Sequence, residues 1–184
     1  KDKVLSCLKR TNFYETVSKS PVHFGENERR DIADSVILVE NTQKALLALS
    51  KYYRELFDIP FLAITGSVGK TTTKNMAAEV LKTKFNVLKT EGNYNNEIGL
   101  PLTLFQLEKY HEIGVVEIGM SGFGEISRLV NIVQPKISVI TNIGVAHIEK
   151  LGSKQNIAKA KMEILEPLKE NDLAVLNADS PELW

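Results

Sequence analysis

The run Thr65-Gly66-Ser67-Val68-Gly69-Lys70-Thr71-Thr72 joins an apolar stretch to a helical pattern. Small residues in that position let successive backbone N–H groups turn inward, which makes an anion nest at a helix N-terminus. Lys70 then reaches the β- and γ-phosphates of a nucleotide as a point charge, and the Thr71 hydroxyl helps to hold Mg²⁺. The spacing is a shorter GxxGK[ST]: Ile64 stands where the common phosphate loop has its first glycine. The competing reading of the same residues is a glycine-rich turn that merely starts a helix.

Three more residues have types suited to a metal–phosphate site. Glu117 ends the apolar run Val115-Val116-Glu117, so a hard oxygen ligand sits where a strand stops. The competing reading is a surface acid at a strand terminus. His147 closes the small-residue loop Asn142-Ile143-Gly144-Val145-Ala146 and could take a metal, a water or a phosphate. A structural imidazole fits the same position, and His23 and His111 have no such context. On a helical wheel Ile157, Ile164, Leu165 and Leu168 fall within about 100° of arc, and Lys161 lies inside it. Its stem either packs while its head reaches water, or the amine is desolvated and becomes chemically modifiable.

Buried strands alternating with helices must carry these groups. Ser35–Glu40, Phe61–Thr65, Asn86–Leu88, Ile113–Ile118, Ile137–Thr141 and Leu173–Leu176 read as strands. Helices are predicted after an N-cap at Asn41, over Lys70–Lys82, Gly99–Leu107 and Glu125–Val133, and from an N-cap at Ser153 to about Leu168. The first should turn Leu46, Leu49, Tyr53, Leu56 and Phe57 to the core, and the second Met76, Ala77, Val80 and Leu81. Strands apolar throughout and separated by helices imply a parallel sheet covered on both faces, an α/β fold.

Composition narrows the function classes. Lys+Arg and Asp+Glu are both 23 in 184 residues, so the electrostatic footprint of a nucleic-acid binder is missing. The single cysteine, Cys7, excludes an internal disulfide framework. No apolar run approaches the ~20 residues of a membrane span. A soluble, cytoplasmic protein is expected, with no membrane insertion and no nucleic-acid partner.

With ITGSVGKTTTK, TEGNYNNEIGLPLTL, VVEIGMSGFGEISRL, ITNIGVAHIEKLGS and IAKAKMEIL together, the chain resembles the ATP-dependent Mur ligases over roughly residues 35–184. The second and third stretches resemble most the members that add D-alanyl-D-alanine to UDP-N-acetylmuramoyl-tripeptide in peptidoglycan precursor synthesis. The resemblance implies a P-loop-like central domain with ATP and Mg²⁺ as cofactors and an acyl-phosphate intermediate. It implies that Gly66, Ser67, Val68, Gly69, Lys70, Thr71 and Thr72 bind the ATP phosphates, with Lys70 on the transferred group. Thr71 and Glu117 would hold one Mg²⁺, and His147 would belong to a second metal site. Lys161 matches the lysine that the family carbamylates, so Lys70, His147 and Lys161 are the expected catalytic set. Asn95 and Asn96 would lie near the muramoyl-peptide. Residues 1–40 are expected to be a remnant of an N-terminal domain or a linker. Residues 41–184 would be the central ATP-binding domain, cut before its C-terminal end, monomeric and inactive alone. The alternatives are a non-catalytic nucleotide-binding module and a related ligase such as folylpolyglutamate synthase.

Overall fold

A computed structural model of the chain describes residues 39–184. The chain divides after Thr42, and the unit Gln43–Trp184 carries the sheet and the candidate site. The strand expected over 35–40 falls outside the described residues, save Val39 and Glu40, which are not in a strand.

The described elements run α1 (Thr42–Glu55), β1 (Phe61–Thr65), α2 (Lys70–Lys82), β2 (Val87–Lys89), α3 (Gly99–Leu104), β3 (Ile113–Glu117), α4 (Glu125–Val133), β4 (Ile137–Ile140), α5 (Ile148–Leu151), α6 (Lys154–Met162) and β5 (Leu173–Leu176). One turn of 3₁₀-helix, Glu163–Leu165, follows α6, and another closes the chain at Pro181–Leu183. All five strands are parallel, in the order β2-β3-β1-β4-β5. The apolar runs of β1 and β3 became covered strands, every residue of β1 being buried, whereas β5 at the sheet edge leaves Leu173 and Val175 exposed.

Alternation along β1 separates two cores. Phe61 and Ala63 join the larger cluster with Leu129, Val130, Ile157 and Ile164 from α4, α6 and the 3₁₀ turn. Leu62 and Ile64 join a smaller one with Val115 of β3 and Ala78 of α2. Helices therefore cover both faces, as the sequence predicts. Cross-strand packing is close: a Cβ on Gly114 would lie 2.2 Å from the Phe61 ring.

Two helical faces differ from expectation. Along α1 and the turn that follows it, the half-buried residues against the core are Leu47, Tyr53 and Phe57, whereas Leu49 and Leu56 are exposed. The buried edge also carries Arg54, whose guanidinium donates to the carbonyls of Val133, Phe57 and Ile59 and lies 4.5 Å from the Phe61 ring centroid. In α2 Met76 and Val80 are exposed, and Lys74, Ala77, Ala78 and Leu81 turn inward. An apolar count puts Met and Val inside, but a lysine with an acceptor beneath it rotates the stripe. Toward the other end of the chain, the helix from Ser153 stops at Met162 and tightens to 3₁₀, short of Leu168. The cap itself is as expected, the Ser153 hydroxyl accepting from Asn156 N at 3.1 Å.

Candidate active site

The carboxyl ends of β1, β3 and β4 converge, because β1 lies between the other two. The chain leaves β1 toward β2 and returns from β3 across to β4, which opens the crevice where open α/β sheets bind ligands. Three loops meet there, beginning at Gly66, Ile118 and Thr141.

The phosphate loop is fastened from the β4 side. Asn142 accepts from Ser67 N through its carbonyl (3.1 Å) and from Val68 N through Oδ1 (3.0 Å). Thr141 Oγ1 donates to the Val68 carbonyl at 2.6 Å, and Gly144 N donates to Ser67 Oγ at 2.8 Å. Gly66 has a φ of +150° and Gly69 a φ of +83°, the backbone that the turn requires. With Ser67 and Val68 engaged, the N–H groups of Lys70, Thr71 and Thr72 open α2 with no backbone acceptor among the described residues. Those donors, at a positive helix end, are the part of the nest left for an anion. Lys70 Nζ donates to the Gly66 carbonyl at 3.0 Å, so its stem lies back along the loop.

Thr71 joins the loop to β3. Its Oγ1 donates to Glu117 Oε2 at 2.8 Å, and Asn95 Nδ2 donates to Glu117 Oε1 at 2.8 Å. Glu117 is 2% exposed, so it is not a surface acid. A hydroxyl and a carboxylate oxygen in contact form a hard donor pair that fits Mg²⁺. No group of three or more His, Cys, Asp or Glu converges among the described residues, so a cation here would take its other ligands from elsewhere, phosphate and water above all.

A cavity of about 260 Å³ adjoins this pair, lined by Gly66, Lys70, Asn95, Asn96, Glu125, His147 and Lys161 among others. Every polar residue predicted for the site outside the loop is therefore beside it or in it. Lys161 is 2% exposed, and its ammonium has no hydrogen-bond or ion-pair partner among the described residues. Burial, and after it the charge of Lys70, lowers its pKa to about 8. His147 stands in left-handed backbone (φ +67°) before the single turn of α5. Burial lowers its pKa, helped by the cations Lys161, Lys70 and Lys150 and opposed by Glu125. The cavity is thus a cationic, partly dehydrated recess, which suits a polyanion. A larger cleft of about 560 Å³ surrounds Arg54, Pro60, Lys136 and Asp172 at the amino ends of the strands, away from these groups.

Asn96 shapes its own loop: its Oδ1 accepts from Ile98 N and Gly99 N at the start of α3. Sequence reasoning missed Lys74, Thr90, Asn142 and Glu163. Glu163 caps α4 from outside, accepting from Gly124 N (2.8 Å) and Ser127 N (3.0 Å). A capping acid 36 residues from the N–H it meets leaves no local pattern to read.

Residues 64–184 match the Mur ligase middle domain. The chain belongs to the Mur ligase family. A UDP-N-acetylmuramoyl-tripeptide–D-alanyl-D-alanine ligase of Bacillus subtilis is 47% identical over 149 residues, which are 81% of this chain and 33% of that protein. The Escherichia coli ligase of the same name is 39% identical, over 82% and 33% of the two chains. Among solved Mur ligases, MurF from Thermotoga maritima in complex with ADP matches with a TM-score of 0.75 and 41% identity, over 79% of this chain and 34% of that one. MurF from Acinetobacter baumannii gives 0.77 and 38%, over 79% and 32%. The chain spans about a third of the length of the curated relatives it matches. Folylpolyglutamate synthase from L. casei shares the fold at 16% identity and a TM-score of 0.58.

Proposed function

We propose that this chain is the ATP-binding core of a ligase that joins D-alanyl-D-alanine to UDP-N-acetylmuramoyl-tripeptide in peptidoglycan precursor synthesis. The observation that carries the reading is the phosphate loop tied through Thr71 to the buried Glu117, beside a cavity that buries Lys161 with no partner among the described residues. A plain nucleotide-binding module has no use for that lysine. The choice among ligases follows the names of relatives at 38–48% identity. Part of the reading is a monomer working in the cytoplasm, where ATP is available.

Phosphoryl transfer needs positioning and charge neutralisation more than covalent help from the protein. The N–H groups of Lys70, Thr71 and Thr72 receive the phosphate oxygens, and the Lys70 ammonium moves from the Gly66 carbonyl to the transferred group. The acceptor's terminal carboxylate attacks the γ-phosphorus, giving an acyl phosphate and ADP. The dipeptide amine then attacks the acyl carbon and expels phosphate. Mg²⁺ held by Thr71 and Glu117, with His147 at a second metal site, would withdraw charge from the phosphate oxygens. Lys161 in its neutral form adds CO₂ at Nζ, losing a proton and becoming an anionic carbamate. That change replaces one of two like charges in the cavity with an oxygen donor, and so relieves the repulsion from Lys70. Asn95 steadies Glu117, and Asn96 faces the same cavity toward the muramoyl-peptide.

The test is a chimera in which this sequence replaces the matching segment of the Bacillus subtilis relative. ADP release that requires both UDP-N-acetylmuramoyl-tripeptide and D-alanyl-D-alanine is the expected result. A folded chimera that binds ADP yet forms no ligation product would refute the assignment.

A further inference from the structure

Lys74 lies one turn beyond Lys70 on α2 and is 2% exposed. No carboxylate pairs with it among the described residues. Among the described residues its Nζ donates to a single acceptor, the carbonyl of Thr90, at 2.7 Å. A buried ammonium with one neutral acceptor is a poor way to stabilise a fold, since an apolar residue of similar volume would avoid the desolvation. The position of its acceptor shows what else it does.

Thr90 follows the last residue of β2 and is wholly buried. Its N–H donates to the Val115 carbonyl at 3.0 Å, which continues the β2–β3 ladder by one residue. Its Oγ1 accepts from the Glu117 N–H at 3.1 Å. Thr90 therefore clamps both ends of the segment Val115–Glu117. The far side of Glu117 returns to α2 through Thr71, three residues before Lys74. The ring is closed: Lys74 to Thr90, Thr90 to Glu117, Glu117 to Thr71, Thr71 along one helical turn to Lys74. Residues three apart lie on one helix face, so the two contacts fix α2 against the strand ends in both translation and rotation.

We propose that Lys74 and Thr90 are positioning residues that hold the Glu117 carboxylate against Thr71 for Mg²⁺–nucleotide binding, an inference that rests on the nucleotide-site reading under Proposed function. Lys74 anchors the end of β2 to the phosphate-loop helix, and Thr90 passes that anchorage to the backbone of Glu117. Neither residue lines the cavity beside the phosphate loop.

The experiment follows the Glu117 amide by hydrogen exchange and measures ADP affinity with Mg²⁺ and with EDTA. It compares the wild-type chain with Lys74→Met, Thr90→Val and Thr90→Ser. Thr90→Val is nearly isosteric and keeps the carbonyl that Lys74 uses, so it serves if Lys74→Met fails to fold. Thr90→Val and Lys74→Met should speed exchange at Glu117 and cut the gain in affinity given by Mg²⁺ about tenfold, the worth of one charge-assisted contact of a displaced Glu117 carboxylate. Affinity in EDTA should stay within about twofold of wild type, and Thr90→Ser should restore both readouts. Variants that keep the full Mg²⁺ gain, or that lose affinity equally with and without Mg²⁺, overturn the proposal. A wild-type chain whose ADP affinity is indifferent to Mg²⁺ overturns the nucleotide-site reading, and the proposal with it.

Discussion

Gly66→Ala puts one carbon where the phosphate loop leaves β1. A Cβ built there lies 1.8 Å from Thr141 Oγ1, 3.1 Å from Thr141 Cβ and 3.2 Å from the Asn142 backbone nitrogen. The hydroxyl cannot swing away without cost, because it donates to the Val68 carbonyl at 2.6 Å and holds the loop. Asn142 N is backbone and cannot swing at all. Two penalties add: a non-glycine residue at φ +150° is strained by about 1–3 kcal/mol, and overpacking costs about 1–3 kcal/mol. The expected loss of stability is about 2–6 kcal/mol, or roughly 4–24 °C in Tm for a chain of this size. Urea unfolding checks the first value and ADP affinity checks the loop. Adding Thr141→Ala removes the nearest atom, so Gly66→Ala should cost at least about 1 kcal/mol less in that background. A Gly66→Ala chain within about 0.5 kcal/mol of wild type, with unchanged ADP affinity, would refute the close-approach argument.

Lys161 makes stability depend on pH with a defined sign. Its pKa falls from 10.5 to about 8 on folding, so between these values the unfolded chain carries a proton that the folded chain has released. Stability therefore rises with pH across that window, by at most about 3 kcal/mol, and the penalty is fully present below it. Lys161→Met should flatten the rise in urea titrations at pH 8 and pH 10, and an unchanged slope would count against a desolvated amine. In the chimera, Lys70→Ala should lower turnover about 10²–10³-fold, the cost of one lost transition-state donor, with an unaltered urea midpoint. Ser153→Ala removes the hydroxyl that caps α6 and should cost about 1 kcal/mol in urea unfolding without changing ADP affinity.

Much of the sheet is legible without coordinates. Strand β5 and helix α4 keep the bounds that the sequence predicts, because their apolar runs and flanking polar residues are strong local signals. Faces are less legible. Met76 and Val80 complete an apolar stripe on α2 by count, yet the sheet accepts Lys74, Ala78 and Leu81 instead. The choice depends on what lies beneath each residue: Thr90 offers Lys74 a buried carbonyl, and small Ala78 lets the helix approach Leu62 and Ile64. The same holds for α1, where Arg54 finds the carbonyls of Phe57, Ile59 and the distant Val133 and draws the helix round with it.

The site divides along the same physical line. Residue types and local spacing determined the phosphate loop between strand and helix, the acid at the end of β3 and a lysine inside an apolar stripe, since each is written within one turn or one strand. Tertiary structure alone decided that Thr71 and Asn95 share the two oxygens of Glu117, and that Asn142 takes two of the nest's donors. It also decided that His147, Lys70 and Lys161 line one cavity. The hydrogen bonds among these meetings join residues 22 to 75 positions apart. They follow from the strand order β2-β3-β1-β4-β5, which local periodicity does not encode, because the energy that selects that order is shared among side chains distant in sequence.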